Sequence, residues 1–363
     1  MNNKKKVLLG MSGGVDSSVS AILLQKQGYE VVGITMKLWE DEKCYIGCTI
    51  SSAENDAKKV CEKLGIKHYI VDLKKEFKEH VINDFINKYV DAKTPNPCVE
   101  CNKYLKFGAM YEKAKELGIE YIATGHYAKV EFSKKYNRYV LKKSSSLKKD
   151  QSYVLYNIPN EILEHVIFPL EGFEKKDEIR KIAVDNGLEI ASKPDSQEIC
   201  FIPDNDYMRF LNDNMSDNQK QDVVKPGQII DTFGKVRANH NGIIKYTIGQ
   251  RRGLGIANPK PLYVVKLDKE KNQVVVGQKE STYSNIAYVE DINLLLFNEI
   301  ENGFKCRAKI RYSAKEADCI IYNEKNNRLK VVFDEKQMAI TPGQSIVFYI
   351  DDIVIGGGKI SSI

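Results

Sequence analysis

The stretch Gly10-Met11-Ser12-Gly13-Gly14-Val15-Asp16-Ser17 decides how this chain is read. It stands between the apolar run Lys6–Gly10 and the segment Ser17–Gln27, whose apolar spacing is helical and which ends at Gly28, a C-capping residue. A glycine-rich turn that leaves a strand and opens a helix directs unpaired backbone N–H groups at an anion. Ser12 and Ser17 add hydroxyl donors. Asp16 and Ser17 are also ordinary N-capping types, so a plain Gly-Gly turn before a capped helix is the competing account. No lysine follows these glycines as it does in a Walker loop, so any grip on phosphate is of a different kind.

Outward from this loop, short apolar runs alternate with helical patterns. Val31–Met36, Lys67–Asp72 and Glu120–Thr124 read as further strands, and Ala53–Leu64, Phe77–Val90 and Lys103–Leu117 as helices, two of them followed by Gly65 and Gly118. Such alternation predicts an α/β fold with a doubly wound parallel sheet. Ligands of such sheets sit at the carboxyl ends of the strands, which places Met36 and Gly125 beside the glycine loop as candidates for a nucleotide base. After residue 205 the pattern changes. Asn212–Lys225 reads as a linker or surface loop, and Lys142–Lys149 as a solvated Lys/Ser tract. Beyond them, Leu262–Leu267, Gln273–Gly277, Phe304–Tyr312, Cys319–Tyr322, Leu329–Phe333 and Ser345–Ile350 are short and β-like. The division expected is 1–205 for the nucleotide-binding unit, 206–280 for a central small β unit and 281–363 for a barrel-like unit.

Composition sets the outer limits. The chain has 363 residues, 42% of them hydrophobic and 29% charged, which excludes disordered and fibrous classes. Eight cysteines are too dilute for a disulfide scaffold, and a net charge of +6 permits a polyanionic partner without demanding one. Lys4-Lys5-Lys6 before Val7-Leu8-Leu9 imitates a signal peptide, but Ser12, Gly13, Gly14 and Asp16 interrupt it, and no apolar run approaches a membrane span. A cytoplasmic protein without a membrane partner is the expectation. Its cysteines are then free, metal-bound or catalytic.

Two cysteine segments stand out. Thr94-Pro95-Asn96-Pro97-Cys98-Val99-Glu100-Cys101-Asn102-Lys103 lies between predicted helices, with Cys101 just ahead of the second; that position, with Lys103 and Lys106 nearby, favours a thiolate. Cys200 stands in Ser196-Gln197-Glu198-Ile199-Cys200-Phe201-Ile202. Each cysteine alone is equally a small buried hydrophobe, the reading left for Cys44, Cys48, Cys61, Cys306 and Cys319, and Cys44-x-x-x-Cys48 with Cys98-x-x-Cys101 is a rival zinc set.

Ser-Gly-Gly-Val-Asp-Ser resembles the signature of the PP-loop ATP pyrophosphatases, which split ATP to AMP and pyrophosphate while adenylating a substrate oxygen. The two cysteine segments, Tyr246-Thr247-Ile248-Gly249-Gln250-Arg251-Arg252-Gly253-Leu254-Gly255, Arg311-Tyr312 and Thr341-Pro342-Gly343-Gln344 narrow the resemblance to the tRNA-specific 2-thiouridylase family, along the whole chain. That resemblance implies ATP on Gly10–Ser17, Met36 and Gly125, with Mg²⁺ on the pyrophosphate. It implies Cys200 as persulfide carrier and Cys101 as the partner nucleophile, resolving through a transient Cys101–Cys200 disulfide. The flipped uridine would meet Asn96, Pro97 and Cys98. The tRNA, of Lys-, Glu- or Gln-type, would touch His126, Lys149, Asp150, Gln151, Arg311, Tyr312 and Gln344, and sulfur would come from a persulfide donor or relay protein. Many members of the family carry aspartate where this chain has Cys98. Cys98, Cys101 and Cys200 are therefore also candidate ligands of an iron–sulfur cluster, with the persulfide route as the alternative. An amide-forming PP-loop enzyme would have no need of Cys101 and Cys200, and a plain RNA-binding protein no need of the loop.

Overall fold

A computed structural model describes residues 4–39, 49–193 and 199–361. Readings that fall on Cys44, Cys48 and Ser196–Glu198 lie outside them. The first part of the chain contributes strands β1 (Lys6–Gly10), β2 (Glu30–Lys37), β3 (Lys67–Asp72), β4 (Tyr121–Ala123), β5 (Ala128–Ser133), β6 (Arg138–Lys143) and β7 (Val166–Ile167). Five of these form a parallel sheet in the order β3-β2-β1-β4-β7. Both faces are buried, which is why the strands read as continuous apolar runs. Leu8 packs with Phe107 and Met110 on one face, while Val7 and Leu9 pack with Val19, Ala57 and Ile179 on the other. This is the doubly wound sheet expected. The chain leaves β1 towards β2 and β3, then returns across β1 to β4. That reversal puts the topological switch point between β1 and β4, where Gly10 and Gly125 lie.

The later strands are β8 (Pro226–Asp231), β9 (Val236–Asn241), β10 (Tyr263–Asp268) and β11 (Gln273–Gly277), followed by β12 (Tyr283–Leu294), β13 (Phe304–Lys309), β14 (Ala317–Glu324), β15 (Arg328–Met338), β16 (Ser345–Ile350) and β17 (Ile353–Ser361). The first four make a sheet ordered β10-β11-β8-β9. The last six run β12-β15-β14-β13-β16-β17, and β17 pairs back onto β12, which closes a barrel. Three glycines in β17 make the closure. A Cβ at Gly356 would stand 2.3 Å from the Asn293 carbonyl oxygen, at Gly357 2.4 Å from that of Ile346, and at Gly358 2.5 Å from Val289.

Three expectations need correction. Asn212–Lys225 is helical for most of its length, Tyr207–Asn214 and Asp217–Val223, rather than a loop. Ser216 and Gln219 form a capping box at the second helix, and Phe210, Leu211 and Val223 sink into the core. The Lys142–Lys149 tract is not uniformly solvated, because Ser144 and Ser146 are buried and bond to the Glu171 and Glu174 carbonyls. The hairpin β5–β6, where sequence reading names no strand, extends the barrel sheet beside β17. Ser216→Ala removes one cap and should speed amide exchange across 217–223 by roughly five- to tenfold, the loss of about 1 kcal/mol. Unchanged exchange there would show that the box contributes nothing.

Candidate functional site

β1 ends at Gly10, and the turn Met11–Gly14 carries the chain into the helix Val15–Lys26. The Met11 amide still reaches the Ile34 carbonyl at 2.8 Å, so the loop is anchored to β2. Gly13 sits at φ +68° with the Ala53 carbonyl oxygen 2.3 Å from where a Cβ would stand, so glycine is required. Gly14 is the N-cap and gives no side-chain cap, which leaves the first-turn N–H groups open to a ligand. Ser17 turns inward, donating to the Gly14 carbonyl at 3.1 Å and accepting from the Ser12 amide at 3.3 Å; Ser12 is exposed. Gly125 backs the same turn, since a Cβ there would lie 3.0 Å from the Ser17 nitrogen. Val15 is buried beneath the loop, and Met36 is half-buried at the end of β2. The cradle fits a nucleotide phosphate.

Two lysines from distant parts of the chain reach the loop and its surroundings. Lys176, at the start of the helix Lys176–Asp185, places its ammonium 2.7 Å from both carboxylate oxygens of Asp16, and the Tyr127 hydroxyl donates to the same carboxylate at 2.9 Å. Lys193 pairs with Asp56 at 2.8 Å and stands 3.5 Å from the Gly13 carbonyl. Sequence reading missed all four of these side chains. Lys176 and Lys193 lie 160 and 180 residues from their partners in the loop, beyond any local signal.

The thiols come from two segments. Pro97–Cys101 is helical, with Asn96 as half-buried N-cap and Pro97 in the first turn, and the helical run continues through wider turns to Glu116. Cys101 is therefore inside the helix and buried, not ahead of its N-terminus, and burial pushes its thiol up despite the pull of Lys106. The expected thiolate at rest is overturned: desolvation outweighs the nearby lysine. Cys98, one turn earlier, is exposed. Cys200 is anchored by its neighbour Phe201, whose ring lies 5.1–5.6 Å from those of Phe77, Phe85 and Phe210. Desolvation, then Cys101 and Cys98, raise its pKa. Its turn is exposed, so the shift is smaller than full burial would impose, but the sign is upward. The three thiols thus share one neighbourhood, all free. Among the described residues no three His, Cys, Asp or Glu side chains are grouped to hold a metal ion, so this thiol set is not disposed as a ready cluster site.

The remaining candidates are held largely by the protein itself. His126 bonds Thr124 at 2.7 Å between the rings of Phe107 and Phe168, and desolvation, with Lys106 nearby, pushes its pKa down. Asp150 is buried and accepts from the Ser144 and Ser152 amides at 3.0 and 3.2 Å and from the Ser152 hydroxyl at 2.7 Å. Gln151 accepts from the Tyr127 amide at 2.9 Å. The Gln344 amide donates to the Thr94 and Pro95 carbonyls at 3.2 and 2.9 Å, so the barrel grips the Pro-Asn-Pro loop. Tyr312 is exposed and donates to the Asp150 carbonyl at 3.2 Å; Lys149, next to Asp150 in the chain, and Arg311, next to Tyr312, are half-buried.

A phosphate cradle at the switch point of a parallel sheet, continued by two β units, places the chain in the PP-loop class of ATP-using folds. Residues 5–204 match the family described as tRNA methyl transferase HUP domain, 219–278 its PRC-barrel domain and 284–360 the aminomethyltransferase beta-barrel domain. The tRNA-specific 2-thiouridylase MnmA of Acetivibrio thermocellus is 49% identical over 363 residues, covering 99% of each chain. That of Clostridioides difficile is 46% identical over 359 residues, covering 98% of each. The chain belongs to the tRNA-specific 2-thiouridylase family.

Two outcomes follow from the geometry. Lys176→Gln and Lys193→Gln should each weaken ATP binding by about tenfold, the loss of one charge-assisted contact, as titration calorimetry would register, while Lys→Arg retains most of it. Equal affinity in all variants would remove both lysines from the site. Alkylation of Cys200 by iodoacetamide should climb about tenfold per pH unit beyond pH 9, past the ~8.5 at which an ordinary thiol levels off. A plateau near pH 8.5 would contradict the raised pKa.

Proposed function

We propose that this chain is an ATP-dependent sulfurtransferase of the cytoplasm that replaces the 2-oxygen of the wobble uridine in Lys-, Glu- and Gln-type tRNA with sulfur. The observation that carries the reading is that Cys101 lies near enough to Cys200 to help raise its pKa, in a chain that also carries the phosphate cradle. The uridine 2-oxygen attacks the α-phosphorus of ATP and pyrophosphate leaves, its charge met by the open helix N-terminus, Lys176 and Lys193; a bound Mg²⁺ would add charge neutralisation there. Asp16 is the loop carboxylate that would hold the metal, in place of its present partner Lys176. AMP is then the leaving group at C2.

Cys200 receives a terminal sulfur from a persulfide donor or relay protein, and that sulfur attacks C2 as AMP departs. Cys101 next attacks the Cys200 sulfur. The Cys200–sulfur bond breaks, the sulfur stays on the base, and a Cys101–Cys200 disulfide remains for an external dithiol to reduce. Asn96, Pro97 and exposed Cys98 border the flipped base, while His126, Lys149, Asp150, Gln151, Arg311, Tyr312 and Gln344 form the tRNA-facing surround. In that surround Asp150, Gln151 and Gln344 act as braces, since their side chains are already engaged. Lys149, Arg311 and Tyr312 are the contacts presented outward.

Nucleosides from tRNA incubated with the chain, ATP and a persulfide donor should contain 2-thiouridine by mass spectrometry. Cys101→Ser and Cys200→Ser should lower it by at least a hundredfold, with nucleotide binding retained. An unaffected yield in either variant would sink the two-thiol mechanism. Anaerobically purified protein carrying stoichiometric iron and sulfide, lost in Cys98→Ser, would replace the persulfide with a cluster.

A further inference from the structure

The run Tyr246–Gly255 has no part in the proposed chemistry, yet it is built with care. Gly249, Gly253 and Gly255 all adopt positive φ, at 87°, 75° and 66°. The Gln250 side chain staples the turn from both sides, accepting from the Thr247 amide at 2.9 Å and donating to the Arg252 carbonyl at 2.9 Å. Buried Leu254 and half-buried Tyr246 and Ile248 fix it to the same core that holds Cys101 and Phe201. The product of this bracing is a pair of adjacent exposed arginines, Arg251 and Arg252.

Sheet pairing brings a second braced turn to the same end. One rung runs from Asp231 to Val276 to Val264, and Val264 exchanges backbone bonds with Gly249 and Gln250 at 2.8 and 2.9 Å. At about 4.8 Å per strand, the β8–β9 turn and the arginine turn are separated by roughly 15 Å. In that turn buried Asp231 accepts from the Phe233 and Lys235 amides, both at 3.0 Å, and from Arg237 at 2.9 Å. Phe233 is held out at the tip, 94% exposed. Lys279, next to Glu280, follows β11 at the same end, where a Cβ on Gly277 would meet Thr232 at 3.1 Å. Lys235, Arg251, Arg252 and Lys279 have no ion-pair partner among the described residues.

Unpaired cations on braced turns at the same end as an exposed aromatic ring match the chemistry of RNA, whose phosphates attract the cations and whose unpaired bases stack on rings. We propose that this end of the middle sheet is a second tRNA-binding surface, with Arg251 and Arg252 on phosphates and Phe233 on an unpaired base. It rests on the tRNA reading above.

The test is the affinity of full-length substrate tRNA across a salt series. Arg251→Gln/Arg252→Gln should weaken binding at least tenfold and flatten the slope of log K against log salt by roughly 1.4 to 1.8, two phosphate contacts. Phe233→Ala should weaken it about tenfold, with Phe233→Trp restoring it. ATP affinity, read in parallel, reports any damage to the fold. Variants with intact ATP binding and unchanged tRNA affinity and salt slope would overturn this surface alone. A wild-type chain that binds no tRNA would overturn the function reading as well.

Discussion

Glu100 carries a carboxylate into the interior between Cys98 and Cys101, where it is only 3% exposed. A buried charge without a partner costs several kcal/mol, so this helix can form here only if cations come with it. Two do. Lys88 approaches to 3.7 Å, itself held by Asp84 at 2.8 Å, and Lys359 of β17 approaches to 3.1 Å. The consequence is architectural, because the helix bearing the thiols takes one of its counter-ions from the last strand of the chain. Gln344 and the Pro342 carbonyl hold the preceding loop from the same side. The barrel is thus part of the support of the thiol site as well as a distal appendage.

A second set of contacts joins the phosphate loop to the barrel. Asp16 is held by Tyr127; Tyr127 exchanges hydrogen bonds with Gln151; Asp150, next in the chain, receives Tyr312 from the loop between β13 and β14. These residues gather around the sheet edge where β4 ends. The physical content is rigidity, since each polar group that faces the interior finds a partner within the network. Residues that a family resemblance alone assigns to RNA contact therefore include several whose side chains first secure the platform.

The parallel sheet was legible because Val7-Leu8-Leu9 and the glycines Gly28, Gly65 and Gly118 mark buried strands and capped helices without tertiary help. β17 was not, because Gly356–Gly358 look like a breaker and reveal a strand only once β12 and β16 press on both sides. The helix Asp217–Val223 did announce itself, through Ser216 and Gln219 in capping-box spacing, but its polar composition outweighed that signal. For Cys101 the error lay in the helix start. Pro97 marks the first turn, and once the helix begins there Cys101 moves from an N-terminal field into the core, which reverses the sign of its pKa shift. Lys176 and Lys193 had no local signature at all; the fold alone brings them to the loop.

That reversal bears on the timing of the proposed reaction. Attack on a persulfide requires a thiolate, so each unit by which burial raises a thiol lowers its reactive fraction tenfold, while the greater basicity of the sulfur returns only about threefold. The net effect is a slower thiol. A fast Cys101 thiolate would attack the Cys200 persulfide before the base arrived, closing the disulfide and discharging the terminal sulfur as sulfide. Burial of Cys101 opposes that waste, and Lys106, the cation that draws down both Cys101 and Cys200, is half-buried on the same helical run. In the proposed reaction, restraint at rest and reactivity with the base in place would then follow from the balance between desolvation of the thiols and one lysine, which a nucleotide base entering this neighbourhood would alter.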